Sequence, residues 1–99
     1  MKNIFNSCTA FNWDAGNSTK NWIKHQVSIT ECEQTFFNEP IIVYEDKGHS
    51  ENENRYFLLG KTNKNRLLLI VFTIRNHFIR VISARDMSKK EREIYESEE

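Results

Sequence analysis

Ninety-nine residues, 38% of them hydrophobic and twelve aromatic, can enclose one core and leave no room for a second domain. Fourteen Lys/Arg balance fourteen Asp/Glu, so the chain is not a simple polycation that coats nucleic acid. The charges are nevertheless segregated: residues 1–60 hold five basic against eight acidic side chains, residues 61–92 nine against two, and residues 93–99 add four Glu. Local field, not the sum, is what an anion feels within a Debye length, so the second half is the place to look for an anion site.

In chain order, residues 1–8 are expected to form an extended or frayed arm. They lack the apolar core of a signal peptide, which points to the cytoplasm. Alternation over 9–13 predicts a short strand, and Asp14 a helix N-cap. The helix that follows should end near His25 and bury a stripe of Ala15, Thr19, Trp22 and Ile23. Ser28 and Glu31 form a capping box for a second helix with Ile29, Cys32, Phe36 and Phe37 inward. Pro40 stops it. Ile41–Tyr44 is β-branched and aromatic, hence a strand. Glu45–Asn54 is a polar loop. Arg55–Thr62, Leu67–Ile74 and Phe78–Arg85 are strands joined by turns at 63–65 and 75–77. Leu67–Ile74 is apolar throughout and should be buried on both faces. Met87–Tyr95 closes the chain as a helix capped by Ser88 and Glu91, with Met87, Ile94 and Tyr95 inward, before an acidic tail at 97–99. The order β-α-α-β-β-β-β-α predicts an α+β domain over 1–99, a mainly antiparallel sheet with helices packed on one face.

Cys8 and Cys32 have no metal-binding spacing and are expected as free thiols. Three scattered histidines complete no ligand set, so no metal site or other cofactor is expected. No apolar run is long enough to span a bilayer. His49 and His77 fall in a loop and a turn, where solvent is the expected partner. His25, beside Lys24 at a helix end, reads two ways. It is either a proton-transfer group with Lys24 on a phosphate, or a basic cap on the helix C-terminus. Arg80 interrupts an apolar strand, so it faces a solvated groove or pairs with a carboxylate. Arg85 lies five residues on, which strict alternation puts on the opposite face. Arg55 follows Glu51 and Glu53 and has a local salt bridge as its alternative. Arg75 makes the turn beside His77 basic and is expected to contact RNA. Tyr44, Tyr56 and Tyr95 can stack on bases or pack in the core.

The ordered set Phe11, Trp13, Asp14, Asn21, Lys24, His25, Val27, Ser28, Arg55, Tyr56, Gly60, Ile82, Ser83, Ala84, Arg85, Glu91, Arg92 and Tyr95 resembles the BrnT family of bacterial toxins. Two positions depart from it: Asn17, where the family often has Lys, and Gln26, where it often has Gly. The resemblance implies a RelE-like fold and a metal-independent endoribonuclease that inhibits translation. Together with the charge pattern, it makes Lys24, His25, Arg55, Arg80 and Arg85 the expected catalytic groups, with Arg75, Tyr44 and Tyr56 expected on RNA. It also implies neutralisation by a BrnA-like ribbon-helix-helix antitoxin in a heterotetramer that meets DNA only through the antitoxin. The missing lysine at Asn17 keeps an alternative open: a degenerate homologue that serves only as a binding module in a repressor complex.

Overall fold

The structure, a computed structural model, describes Phe5, residues 8–49 and residues 53–99. Its elements are β1 (Ala10–Phe11), α1 (Ala15–His25), α2 (Ile29–Gln34), β2 (Ile42–Glu45), a 3-10 turn (Lys47–His49), β3 (Arg55–Lys61), β4 (Leu67–Arg75), β5 (Phe78–Asp86) and α3 (Lys89–Glu96). They form one five-stranded sheet in the order β1-β5-β4-β3-β2. Only the β1–β5 pair is parallel, and the other neighbours run antiparallel as the hairpin pattern predicts. Each helix starts at a capping box, on Asp14 with Asn17, Ser28 with Glu31, and Ser88 with Glu91. No helix among the described residues is long and apolar enough to cross a membrane.

Side chains of β4 alternate between two cores, which is why this strand is apolar throughout. On one face Leu68, Ile70 and Phe72 join Leu58, Val43, Val81 and Ala84 beneath Val27, Cys32 and Phe36. On the other, Leu69 and Leu59 pack with Met87 and Tyr95 of α3. Helices therefore lie on both faces, not on one. Phe5 also enters the first core, with its ring centroid 5.7 Å from that of Phe36 and 5.9 Å from that of Phe72. The arm expected over 1–8 is thus docked at Phe5 and Cys8, while residues 1–4, 6 and 7 lie outside the described residues. Gly60 allows α2 to approach β3 closely: a Cβ there would lie 2.9 Å from the Thr35 carbonyl oxygen.

The expected apolar face of α1 is reversed. Trp22 and Ile23 are 54% and 70% exposed, whereas Asn17 and Asn21 are buried. The reason lies in β5, whose outer edge pairs with β1 over only two residues. Beyond them its backbone groups need partners, because an unpaired buried amide or carbonyl is costly. Asn17 Nδ2 donates to the Val81 carbonyl at 3.0 Å, and Asn21 Oδ1 accepts from the Ala84 amide at 3.1 Å. Two asparagines four residues apart thus let one helix face continue the sheet where β1 stops. The second helix is shorter than expected, ending at Gln34 before the turn that holds Phe36 and Phe37; Cys32 and Phe36 are buried as expected, but Ile29 and Phe37 are exposed, as is Ile94 in α3.

Candidate nucleic-acid interface

Val71 pairs with Ser83, but Phe72 pairs with Val81, so Ile82 is an extra residue bulged out of β5. A bulge shifts the alternation by one. Arg80 pairs with Thr73 and Arg85 with Leu69, two residues on the same face of β4. The two arginines that strict alternation separates therefore share one side of the sheet. Arg55 and Arg75 have the same parity, since Arg55 also pairs with Thr73. So does Tyr44, opposite Phe57, with ring centroids 5.3 Å apart. The result is a face with Arg55, Thr73 and Arg80 in one row, Tyr44, Phe57, Val71 and Ser83 in the next, and Arg85 beside α3.

Carboxylates hold the guanidinium groups in place. Arg80 donates to Asn12 Oδ1 at 2.6 Å and pairs with the Asp14 carboxylate at 3.0 Å. Arg75 forms a fork on Glu53 at 2.6 and 3.0 Å. Arg85 forms another on Glu91 at 2.8 and 2.9 Å, so the residue that caps α3 also orients a strand arginine. The ion-pair alternative for Arg80 is thus realised on the same face as the groove alternative. Glu53 interacts with Arg55 and Arg80 as well as Arg75, whose hydrogen bond is the main reason its carboxyl lies below the ordinary range. Arg85 does the same for Glu91, again mainly through its hydrogen bonds. Tyr44 moves the other way: partial burial and then the nearby Glu91 push its phenol up, so it stays protonated.

Other predicted site residues lie elsewhere. Tyr56 has the opposite parity and stacks on Phe72 in the core at 5.4 Å, away from the arginines. Tyr95 is fully buried and donates to the Pro40 carbonyl at 2.7 Å. Lys24 and His25 end α1, with His25 near Asp86, which pairs with Leu68 and so has the parity opposite to Arg85. The structure does not bring them to the arginine face. They stand in the last turn of α1, as the basic-cap alternative has them, and Arg66 adds hydrogen bonds to the carbonyls of His25 and Gln26 at 3.2 and 2.9 Å while pairing with Asp86 and Glu31. His77 sits exposed in the β4–β5 turn. The pair expected between Arg55 and Glu51 falls on a residue outside the described ones. Cys32 is buried and its thiol is pushed up to about 12, which rules it out as a nucleophile at neutral pH. Among the described residues, no three His, Cys, Asp or Glu side chains converge on a possible metal position.

Asp14, Glu53 and Glu91 were missed as members of this surface. Asp14 and Glu91 carry a helix-cap signal and a place in the family pattern but no sign of an arginine partner, and Glu53 reads only as a local partner of Arg55. Asn12 carries no such signal.

No individual curated protein matches the chain. A family model described as "Ribonuclease toxin, BrnT, of type II toxin-antitoxin system" matches residues 13–91. That segment contains the four arginines of the shared face together with Asp14, Glu53 and Glu91. The match spans most of the chain, which therefore belongs to the BrnT family of ribonuclease toxins of type II toxin–antitoxin systems.

Proposed function

We propose that this chain, acting as one domain in the cytoplasm, cleaves RNA without a metal ion on the arginine face and so inhibits translation. The bulge at Ile82 is the observation that carries the reading, because it sets Arg80 and Arg85 on one side with Arg55, Arg75 and Tyr44. Guanidinium forks match phosphate oxygens and supply, as fixed charges, the stabilisation that a phosphorane needs. The 2′-oxygen attacks phosphorus, the bond from phosphorus to the 5′-oxygen breaks, and a 2′,3′-cyclic phosphate remains. Glu91, ionised, takes the 2′-hydroxyl proton as the phosphate displaces it from Arg85. Tyr44, protonated, supplies a proton to the leaving oxygen. At neutral pH Glu91 is ionised and Tyr44 protonated, the states that base and acid need, and loss of the Arg85 hydrogen bonds that hold the Glu91 carboxyl low strengthens it as a base at the moment the phosphate displaces it. Lys24 and His25 lie outside this chemistry. A BrnA-like ribbon-helix-helix antitoxin neutralises the toxin in a heterotetramer.

The ion pairs favour a second reading as well. Arg75, Arg80 and Arg85 already hold carboxylates, as they would in a binding module without catalysis. Incubation of the purified chain with RNA in excess EDTA decides between them. Cyclic phosphate ends are expected, with the rate reduced roughly 100-fold or more in Arg80→Ala. Cleavage that needs added metal refutes metal independence, and no cleavage under any condition leaves the binding module.

A further inference from the structure

The arginine face leaves unexplained the apolar stripe that α1 turns outward. Trp22 and Ile23 are largely exposed, with Ala15 and Thr19 exposed on the same side. The exposure follows from the fold, because the asparagine face of α1 is committed to β5. Trp22 also lines a groove between α1 and the start of α2, together with Ser18, Thr19, Ser28, Ile29 and Thr30. Ile29 is exposed there too. An aromatic and two β-branched side chains in a polar rim have the composition of an interface centre, where tryptophan is a preferred anchor.

Charge identifies the occupant. The helix carries Lys20, Lys24 and His25 and no acidic residue, while Glu31 and Glu33 of α2 are engaged by Arg66 and by the Trp13 indole N–H. Lys20 and Lys24 flank Ile23 on the side away from the groove, by their angular positions on the helix. A second copy of this chain placed symmetrically on the stripe would set lysines against lysines. RNA would have the wrong chemistry for an aliphatic stripe, and the arginine face already suits it. An amphipathic protein segment with apolar residues on one side and acidic residues on the other fits both features.

We propose that the stripe of Trp22, Ile23 and Ile29 is the docking surface for an acidic amphipathic segment of the antitoxin. This rests on the family reading, which supplies a protein antitoxin. The surface is separate from the arginine face, since α1 lies along the outer edge of β5. Antitoxin anchored here can therefore hold the toxin whether or not RNA occupies the arginines.

The probe is the protein encoded by the gene adjacent to that of this chain, titrated against the full-length toxin by calorimetry. Trp22→Ser/Ile29→Ser is compared with wild type, and its RNA cleavage and melting curve are recorded alongside. The variant is expected to cleave RNA at the wild-type rate and to keep its melting temperature. It should bind the probe roughly 30-fold more weakly or worse, the loss seen when a hot-spot anchor is removed. Lys20→Glu/Lys24→Glu should weaken binding and flatten its salt dependence, whereas Arg80→Ala should lose cleavage but still bind. Wild-type affinity in the serine variant overturns the proposal while leaving the antitoxin reading intact. If wild type itself binds no product of the adjacent gene, the antitoxin reading falls and takes the proposal with it. Two further outcomes also overturn it: self-association of wild type abolished in the variant, and loss of RNA cleavage in a variant that melts normally.

Discussion

Replacing Asn21 by leucine tests the account of α1 most directly. By hydropathy the change should help, since Asn21 is 2% exposed and leucine is of similar size. The structure says otherwise. The side chain accepts from the Ala84 amide at 3.1 Å and donates to the Asn17 carbonyl at 2.9 Å. Leucine leaves the Ala84 N–H buried without a partner, which costs about 1–3 kcal/mol. The Asn17 carbonyl loses less, because intrahelical bonding still serves it. A net destabilisation of about 2 kcal/mol follows, or roughly 10 °C in melting temperature for a domain of this size. Thermal melts by circular dichroism measure it. The mutation also loosens the segment just after the bulge, so RNA cleavage by still-folded protein should fall because Arg85 is no longer held in register with Arg80. Unchanged or raised stability in Asn21→Leu would refute the idea that side-chain amides complete the edge of β5.

Asp14→Asn keeps an equally good helix cap and removes only the charge that holds Arg80, so it should tighten binding of a non-cleavable RNA several-fold with little change in melting; unaltered anisotropy titrations would count against Arg80 as a phosphate contact. Gln26 is left-handed at φ 52°, where glycine meets no steric penalty, so Gln26→Gly should raise stability by about 1 kcal/mol in urea titrations, and a loss would contradict the cap geometry. Asp86 and Glu91 are held below the ordinary carboxylate range, chiefly by hydrogen bonds from Arg66 and Arg85. The unfolded chain therefore binds protons first on acidification, and stability should be full above about pH 5 and fall as pH drops through and below that range. A urea midpoint that stays constant from about pH 6 to pH 3 would refute the linkage.

The elements were legible because their signals are local. Capping residues and the strand composition each act within a few residues, and all three helix starts fall where those signals put them, whereas α2 ends at Gln34, well before Pro40. The face of α1 was not legible, because its apolar stripe follows the helical period correctly but the surface it meets is a strand edge that needs hydrogen bonds. The pair Asn17 and Asn21 carried that message at the same period. The bulge left a trace too. In Phe78–Asp86 the polar residues Arg80, Ser83 and Arg85 are spaced by three and then two, and a strand that keeps one face polar can do this only with an extra residue at Ile82. Tyr56 was misplaced for the complementary reason: its parity depends on which partner residue it faces, and that is settled only by the whole sheet.

The neutral net charge and the basic second half are reconciled by where the carboxylates come from. Arg75, Arg80 and Arg66 draw partners from Glu53, Asp14 and Glu31, all in the acidic first half, and Arg66 and Arg85 use the only two acids within 61–92. Folding thus cancels the segregation that the sequence displays. A phosphate arriving at this face exchanges for a carboxylate and does not meet a bare cation, so affinity depends on how readily each carboxylate leaves. The Asp14 side chain is 57% exposed, that of Glu53 35% and that of Glu91 19%. Water can take over the first two far more easily than the third, which is also bound to the Ser88 amide. On the proposed function, Arg80 and Arg75 are therefore the arginines that exchange their carboxylates for backbone phosphates most readily. In the proposed mechanism Arg85 and Glu91 release each other when the scissile phosphate supplies the replacement oxygens, so that release of the proton acceptor would coincide with the reaction.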